Sequence, residues 1–125
     1  MESNLVRVLK TLSDETRLRI LNLLQFGVLC VCELEILLDI SQSNASRHLN
    51  KLTSVGLVEY YKAAKYVYYK LNDDITGEYP FIKEILVTET KKLDKYQEDN
   101  RRLTKYKDDG YTCDELKDGK VCFED

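Results

Sequence analysis

The chain has one histidine (His48), one proline (Pro80), five glycines and no apolar run approaching ~20 residues. Without such a run, no helix of it is expected to span a membrane. The opening residues, MESN, lack the charged-then-apolar pattern of a secretory signal, so a cytoplasmic protein is expected. Cytoplasmic cysteines are kept reduced. The four here, Cys30, Cys32, Cys113 and Cys122, therefore read as ligands, sensors or core residues rather than as structural disulfides. Little is present from which to build an enzyme. There is no second histidine, no placeable pair of catalytic carboxylates and no glycine-rich phosphate loop.

What is present is a one-domain composition: 125 residues, 43% hydrophobic and 33% charged. The net charge of −3 conceals an uneven distribution. From residue 40 to 71, Arg47, Lys51, Lys62, Lys65 and Lys70 stand against Glu59, five minus one, or +4. From residue 108 onward, seven acids stand against Lys117 and Lys120, two minus seven, or −5. A basic middle and an acidic tail permit nucleic-acid binding by the middle.

Residues 39–56 organise the rest. Ala45, Leu49 and Leu52 recur at helical spacing and predict a buried stripe. Ser43, Ser46, Arg47 and Asn50 cluster on the other side at about 100° per residue. These short polar side chains and one guanidinium can reach base edges and phosphates. Ser41 is the expected N-cap and Gly56 the expected stop. His48 lies at the edge of the apolar stripe and is expected to orient this helix through a hydrogen bond.

Upstream, Leu5, Val8, Leu9 and Leu12 predict a short first helix. Residues 16–24 predict a deeply buried second helix ended by Gly27, and 32–39 a third. A three-residue joint at 40–42 then makes a helix-turn-helix. After Gly56 the period changes from 3.6 to 2. Two Tyr- and Val-rich strands, 57–62 and 66–71, predict a hairpin wing with Lys62 and Lys65 at its tip. Residues 72–77 read as a linker, and Pro80 suits the start of a long helix. Ile82, Leu86, Glu89, Leu93, Tyr96, Asn100 and Leu103 follow an alternating 4,3 spacing. That seam predicts a dimerisation helix over 80–106 packed with the first helix. The expected organisation is a winged helix-turn-helix over 1–93, closed by this helix, and an acidic cysteine-containing tail over 107–125. The fold class is mainly α with a β-hairpin wing.

The motifs LCVCEL at 29–34, SQSNASRHL at 41–49 and GLV at 56–58, followed by a tyrosine-rich wing, resemble the ArsR/SmtB family of bacterial metal-sensing repressors. The resemblance runs from about Leu5 to Leu93. It implies a homodimeric winged helix that binds palindromic double-stranded operator DNA without ligand and leaves it on binding a thiophilic ion. Arsenite or antimonite is the inducer implied first, with an arsenic-resistance operon as the setting; cadmium/lead sensing or a redox switch are the alternatives within the fold. The expected DNA contacts are Gln42, Ser43, Ser46, Arg47 and Asn50, with Lys62 and Lys65 on phosphates. Departures from the family pattern are a Glu at position 35, where arsenite sensors often carry a third cysteine, and the lack of any cysteine before Cys30. The zinc branch's histidine site is missing, and so is the usual glycine at the wing tip.

Cys30 and Cys32 are the expected metal ligands, since soft thiolates select soft ions. Residues i and i+2 of a regular helix project about 200° apart. The pair can therefore share an ion only if Cys30 lies outside the helix and Cys32 in its first turn. Cys113 and Cys122 are the candidates for a third sulfur, Cys113 being nearer the last helix, the alternatives being that the two form their own pair or have no role; the six residues between Tyr106 and Cys113 can span roughly 20 Å. A thiol-based arsenic carrier or small thiol enzyme is the alternative from another class.

Overall fold

The computed structural model describes residues 3–110. Cys113, Cys122 and the part of the expected tail beyond residue 110 lie outside the described residues. Among the described residues, seven α-helices and a small sheet follow the order in which the sequence changes period. α1 (Asn4–Leu12) starts at Ser3, whose side chain accepts from the Val6 N–H. α2 (Glu15–Leu24) starts at Asp14, whose carboxylate accepts from the Arg17 N–H at 3.0 Å. The two-residue strand β1 (Leu29–Cys30) leads directly into α3 (Val31–Leu38). Asp39 leaves α3 in the left-handed region (φ 55°), turning the chain into α4 (Gln42–Val55). Ser41 caps α4 by accepting from the Asn44 N–H at 3.1 Å, and Gly56 ends it at φ 85°, a conformation that costs glycine little.

β2 (Val58–Ala63) and β3 (Tyr66–Leu71) form the wing, with Val58 opposite Leu71 and Ala63 opposite Tyr66. The turn between them is two residues, Ala64-Lys65, and Ala64 takes the positive φ (56°) for which a glycine is usual. The sheet is three-stranded rather than a bare hairpin. β1 pairs antiparallel with β3, setting Cys30 opposite Tyr68, and the order is β1-β3-β2.

The core lies where α2, α3 and α4 meet. Ile20, Leu21, Leu23, Leu34, Leu37, Leu49 and Leu52 are fully enclosed there, and α2, expected to be the most buried helix, shares that burial with α3. Among the described residues no helix is long and apolar enough to cross a membrane.

Two expectations after the wing are corrected. The expected linker is a short helix, α5 (Asp73–Glu78), capped by the Asn72 side chain. The expected continuous helix over 80–106 is broken. It runs as α6 (Phe81–Glu84), a π turn (Ile85–Glu89) and a 3-10 turn (Thr90–Lys92), stops at extended Leu93, and restarts as α7 (Asp94–Asp108). The cause lies at Leu86, whose carbonyl accepts both the Gln25 amide (2.9 Å) and the Thr90 hydroxyl (2.8 Å), drawing the helix off its regular ladder. Most of the apolar seam is also spent inside the protomer. Ile82, Leu86, Tyr96 and Leu103 are buried in this chain's own interior, while Leu93 is 51% exposed.

Candidate functional site

α4 presents the polar face that its spacing predicts. Ala45, Leu49 and Leu52 point inward, and Gln42, Ser43, Arg47 and Asn50 are exposed, with Ser46 half-buried. Arg47 donates to the Asn44 side-chain oxygen at 2.7 Å, which lays the guanidinium along the helix surface. His48 is buried beneath it. Its Nδ1 lies 3.4 Å from an Arg17 guanidinium nitrogen and its Nε2 3.3 Å from one of Arg47. A neutral imidazole has a single acceptor nitrogen, so it accepts from one of these at a time. Burial pulls the His48 pKa below its usual value. The two guanidiniums add to that pull, and Asp14, 3.9 Å away, opposes it.

At the wing tip Lys62 and Lys65 are exposed, and the Lys65 ammonium stands 5.4 Å from the centre of the Tyr66 ring. The strands behind the tip are braced by ring pairs, Tyr60 with Tyr69 and Tyr61 with Tyr68, at 5.7 and 5.6 Å between centres.

Cys30 and Cys32 meet at the start of α3. Cys30 is extended (φ −88°, ψ 168°) in the N-cap position and Cys32 is in the first turn, the arrangement that an i, i+2 pair needs in order to converge. Their sulfurs lie 2.9 Å apart, in a small cluster with Tyr66 and Tyr68 separate from the main core. Burial pushes the Cys30 thiol pKa up to about 12. The Glu33 carboxylate adds to this, while the backbone N–H groups of Glu33 and Cys32 draw it partly back. Cys32 is disulfide-bonded in this structure, contrary to the expectation of reduced cysteines, so the pair offers two thiolates to a soft ion only once that bond is reduced. Among the described residues, no group of three or more Cys, His, Asp or Glu is arranged to hold a metal. Beside the pair lies a groove of about 360 Å³. Its other walls include Glu35, Gln42 and Ser46 from the helix-turn-helix and Lys65 and Tyr66 from the wing. The structure thus brings the sulfurs together with three of the expected DNA contacts, Gln42, Ser46 and Lys65; Ser43, Arg47, Asn50 and Lys62 do not line the groove.

The residues that hold this corner were missed in the sequence. Glu33 reaches back to accept the Cys30 N–H at 2.9 Å, and its other carboxylate oxygen accepts the Tyr106 hydroxyl of α7. Farther along α3, Arg102 donates to the Ile36 carbonyl (2.9 Å), and Arg19, paired with Asp99, donates to the Leu38 carbonyl (3.1 Å). α7 therefore grips α3 from its first turn to its last. The three-residue step from Cys30 to Glu33 has the capping-box spacing and could have revealed the first of these contacts. Nothing local signals the others.

Comparison with known proteins agrees with this geometry. Residues 14–60, the second helix through the start of the wing, match the model of the bacterial regulatory protein arsR family. A cadmium resistance transcriptional regulatory protein CadC homolog from Staphylococcus aureus is 40% identical over 72 residues, 57% of this chain and 60% of that protein. The arsenical resistance operon repressor of Escherichia coli is 46% identical over 71 residues, 56% of this chain and 61% of that protein. The chain thus spans about 60% of the length of the curated relatives it matches. In three dimensions it is similar to the homodimeric winged helix-turn-helix DNA-binding domain of a possible ArsR-family transcriptional regulator from Mycobacterium bovis. That likeness has a TM-score of 0.59 at 29% identity and covers 66% of this chain and 77% of the other. These relatives are regulators, not enzymes. A winged helix-turn-helix with a polar recognition face, a tyrosine-braced wing and this run of matching sequence identify residues 14–60 as a helix-turn-helix domain of the bacterial arsR regulatory family.

Proposed function

We propose that this protein is a cytoplasmic transcriptional repressor that holds operator DNA as a homodimer and releases it when a thiophilic ion binds Cys30 and Cys32. Arsenite or antimonite is the preferred inducer and cadmium or lead the alternative, as the names of the E. coli and S. aureus relatives suggest. The observation that carries the proposal is the groove. The two sulfurs, 2.9 Å apart, share its walls with Gln42, Ser46 and Lys65, so a ligand held by the sulfurs borders the side chains expected on DNA. Gln42, Ser43, Ser46, Arg47 and Asn50 read the major groove, and Lys62 and Lys65 hold phosphates. Ion binding draws on the start of α3. Because α3 packs on α4 through a three-residue joint, a shift there re-aims the recognition helix of each protomer. Two half-sites one turn apart then cannot both be met.

The third sulfur is assigned to Cys113 or Cys122. The Tyr106 hydroxyl already touches the carboxylate that holds the Cys30 N–H, so the end of α7 lies beside the pair. The exposed apolar side chains Leu5, Leu9, Val87 and Leu93 on the first and last helical segments supply the dimer contact.

The test is an anisotropy titration of the reduced protein on the duplex upstream of its own coding sequence, adding arsenite, antimonite, cadmium, lead and zinc singly. Release by arsenite or antimonite near stoichiometry, lost in Cys30→Ser, is the expected result. A Cys30→Ser protein that still releases DNA normally overturns the sensing site. DNA binding that only an oxidant disturbs replaces ion sensing with a redox switch. Arsenite binding by a chain with no affinity for duplex DNA favours a carrier.

A further inference from the structure

We propose a second DNA-backbone site, outside the recognition helix and the wing: a cationic cleft between α1 and the last turns of α4 that clamps a phosphodiester flanking the major groove. This inference rests on the DNA-binding reading and adds a contact surface to it.

The exposed stripe of α4 does not stop at Asn50. At about 100° per residue, Ser43, Arg47, Asn50, Lys51 and Ser54 fall within a third of the circumference, and all five are exposed. The stripe therefore runs the length of the helix. Near its far end it meets α1, where Arg7, Lys10, Thr11, Lys51 and Ser54 line one cleft. Three of these carry positive charge, and among the described residues no acid lines it. Arg7 is already aimed there, donating to the Ser54 carbonyl at 3.3 Å. That contact orients the guanidinium and leaves it further N–H donors for a phosphate oxygen.

α1 is built to present this edge. Val8, Thr11 and Leu12 are buried, and that inward face sets the rotation of the helix. Leu5 and Leu9 then emerge on one side, and Arg7 and Lys10 emerge between about 100° and 200° farther round. The apolar edge is left to a partner protomer, while the basic edge borders the recognition stripe. A phosphate contact carries no sequence information. The cleft is expected to set register and add salt-sensitive affinity without reading bases.

The test measures affinity against salt concentration for the full chain on two duplexes, one taken from upstream of its own coding sequence and one a scramble of it. Arg7→Gln and Lys51→Gln each remove a charge at an exposed position. Lys83→Gln, on α6 away from this stripe, is the control for total charge. Each cleft variant is expected to lower the slope of log affinity against log salt by about 0.9 for every phosphate lost and to weaken both duplexes by the same factor. The control should leave the slope unchanged, and urea unfolding should confirm that both variants remain folded. Unchanged slopes in both variants overturn the proposal, as does an equal fall in the control, which reports only the general field. A loss confined to the upstream duplex overturns the backbone assignment. A parent chain that binds neither duplex overturns the DNA-binding reading itself, and this site with it.

Discussion

Replacing Asp99 by alanine is expected to be among the most damaging single changes in the chain. Asp99 and Arg19 form a two-pronged ion pair, 2.8 and 2.9 Å, between α7 and α2, with side chains 2% and 10% exposed. Holding two charges out of water is tolerable only while each satisfies the other. Asp99→Ala strands the buried guanidinium, leaving it the Leu38 carbonyl as acceptor. Removing one partner of such a pair costs about 3–5 kcal/mol. That is a large share of the ~5–15 kcal/mol that a domain of this size possesses. At a urea dependence of about 1.5–2 kcal/mol per molar, the unfolding midpoint should fall by about 2 M. The measurement is urea denaturation followed by circular dichroism at fixed protein concentration, because the proposed dimer would tie stability to concentration. Pairing Asp99→Leu with Arg19→Met removes both charges and should recover most of the loss. A midpoint that moves by less than about 0.5 M, or a double variant no better than the single one, would refute the reasoning. The consequence for function follows from geometry. Arg19 also anchors the last carbonyl of α3, so a loosened pair loosens the joint that aims α4.

His48 titrates below its ordinary value in the folded chain, so the unfolded chain binds more protons as pH falls past 6.5; stability should be full above that pH and decline below it, and His48→Gln should flatten the decline in unfolding curves between pH 7.5 and 5. With its thiol at about 12 rather than 9.0, Cys30 holds about a thousandfold less thiolate at pH 8. In a Cys32→Ser, Cys113→Ser, Cys122→Ser background, alkylation by iodoacetamide should be slower in the folded protein than in urea by at least that factor, and comparable rates would contradict the burial. Ser41→Ala removes the cap of the recognition helix and should cost about 1 kcal/mol in unfolding free energy together with some operator affinity; a neutral result would show that water caps α4 equally well.

Much of the helix-turn-helix was legible because its signals are local. Ser41 and Gly56 bracket α4 as their chemistry predicts, and the change to period 2 after Gly56 marks the wing. The i, i+2 spacing of the cysteines also stated its own condition, one sulfur outside the helix and one in its first turn, and the chain meets it. The seam over 82–103 misled for a definable reason. A 4,3 apolar spacing says only that one side is buried, not whether the burial is within the protomer or between two. It also carries no trace of Gln25, 61 residues before Leu86 in sequence, capturing that carbonyl.

What the sequence determined by itself is the set of interactions spanning a few residues: helix caps, stripes, strand alternation, and the identity of the family, which lies in a short contiguous stretch. Tertiary structure decided the rest. It paired Cys30 with Tyr68, turning a hairpin into a sheet that holds the sulfurs at the wing. It joined Glu33 to Tyr106 and Arg19 to Asp99 across 73 and 80 residues, so that the last helix grips the helix carrying the sulfurs. Such pairs leave no periodic mark, because they form only after the chain has folded back and excluded water from between them. Each partner taken alone reads as an ordinary surface charge or tyrosine.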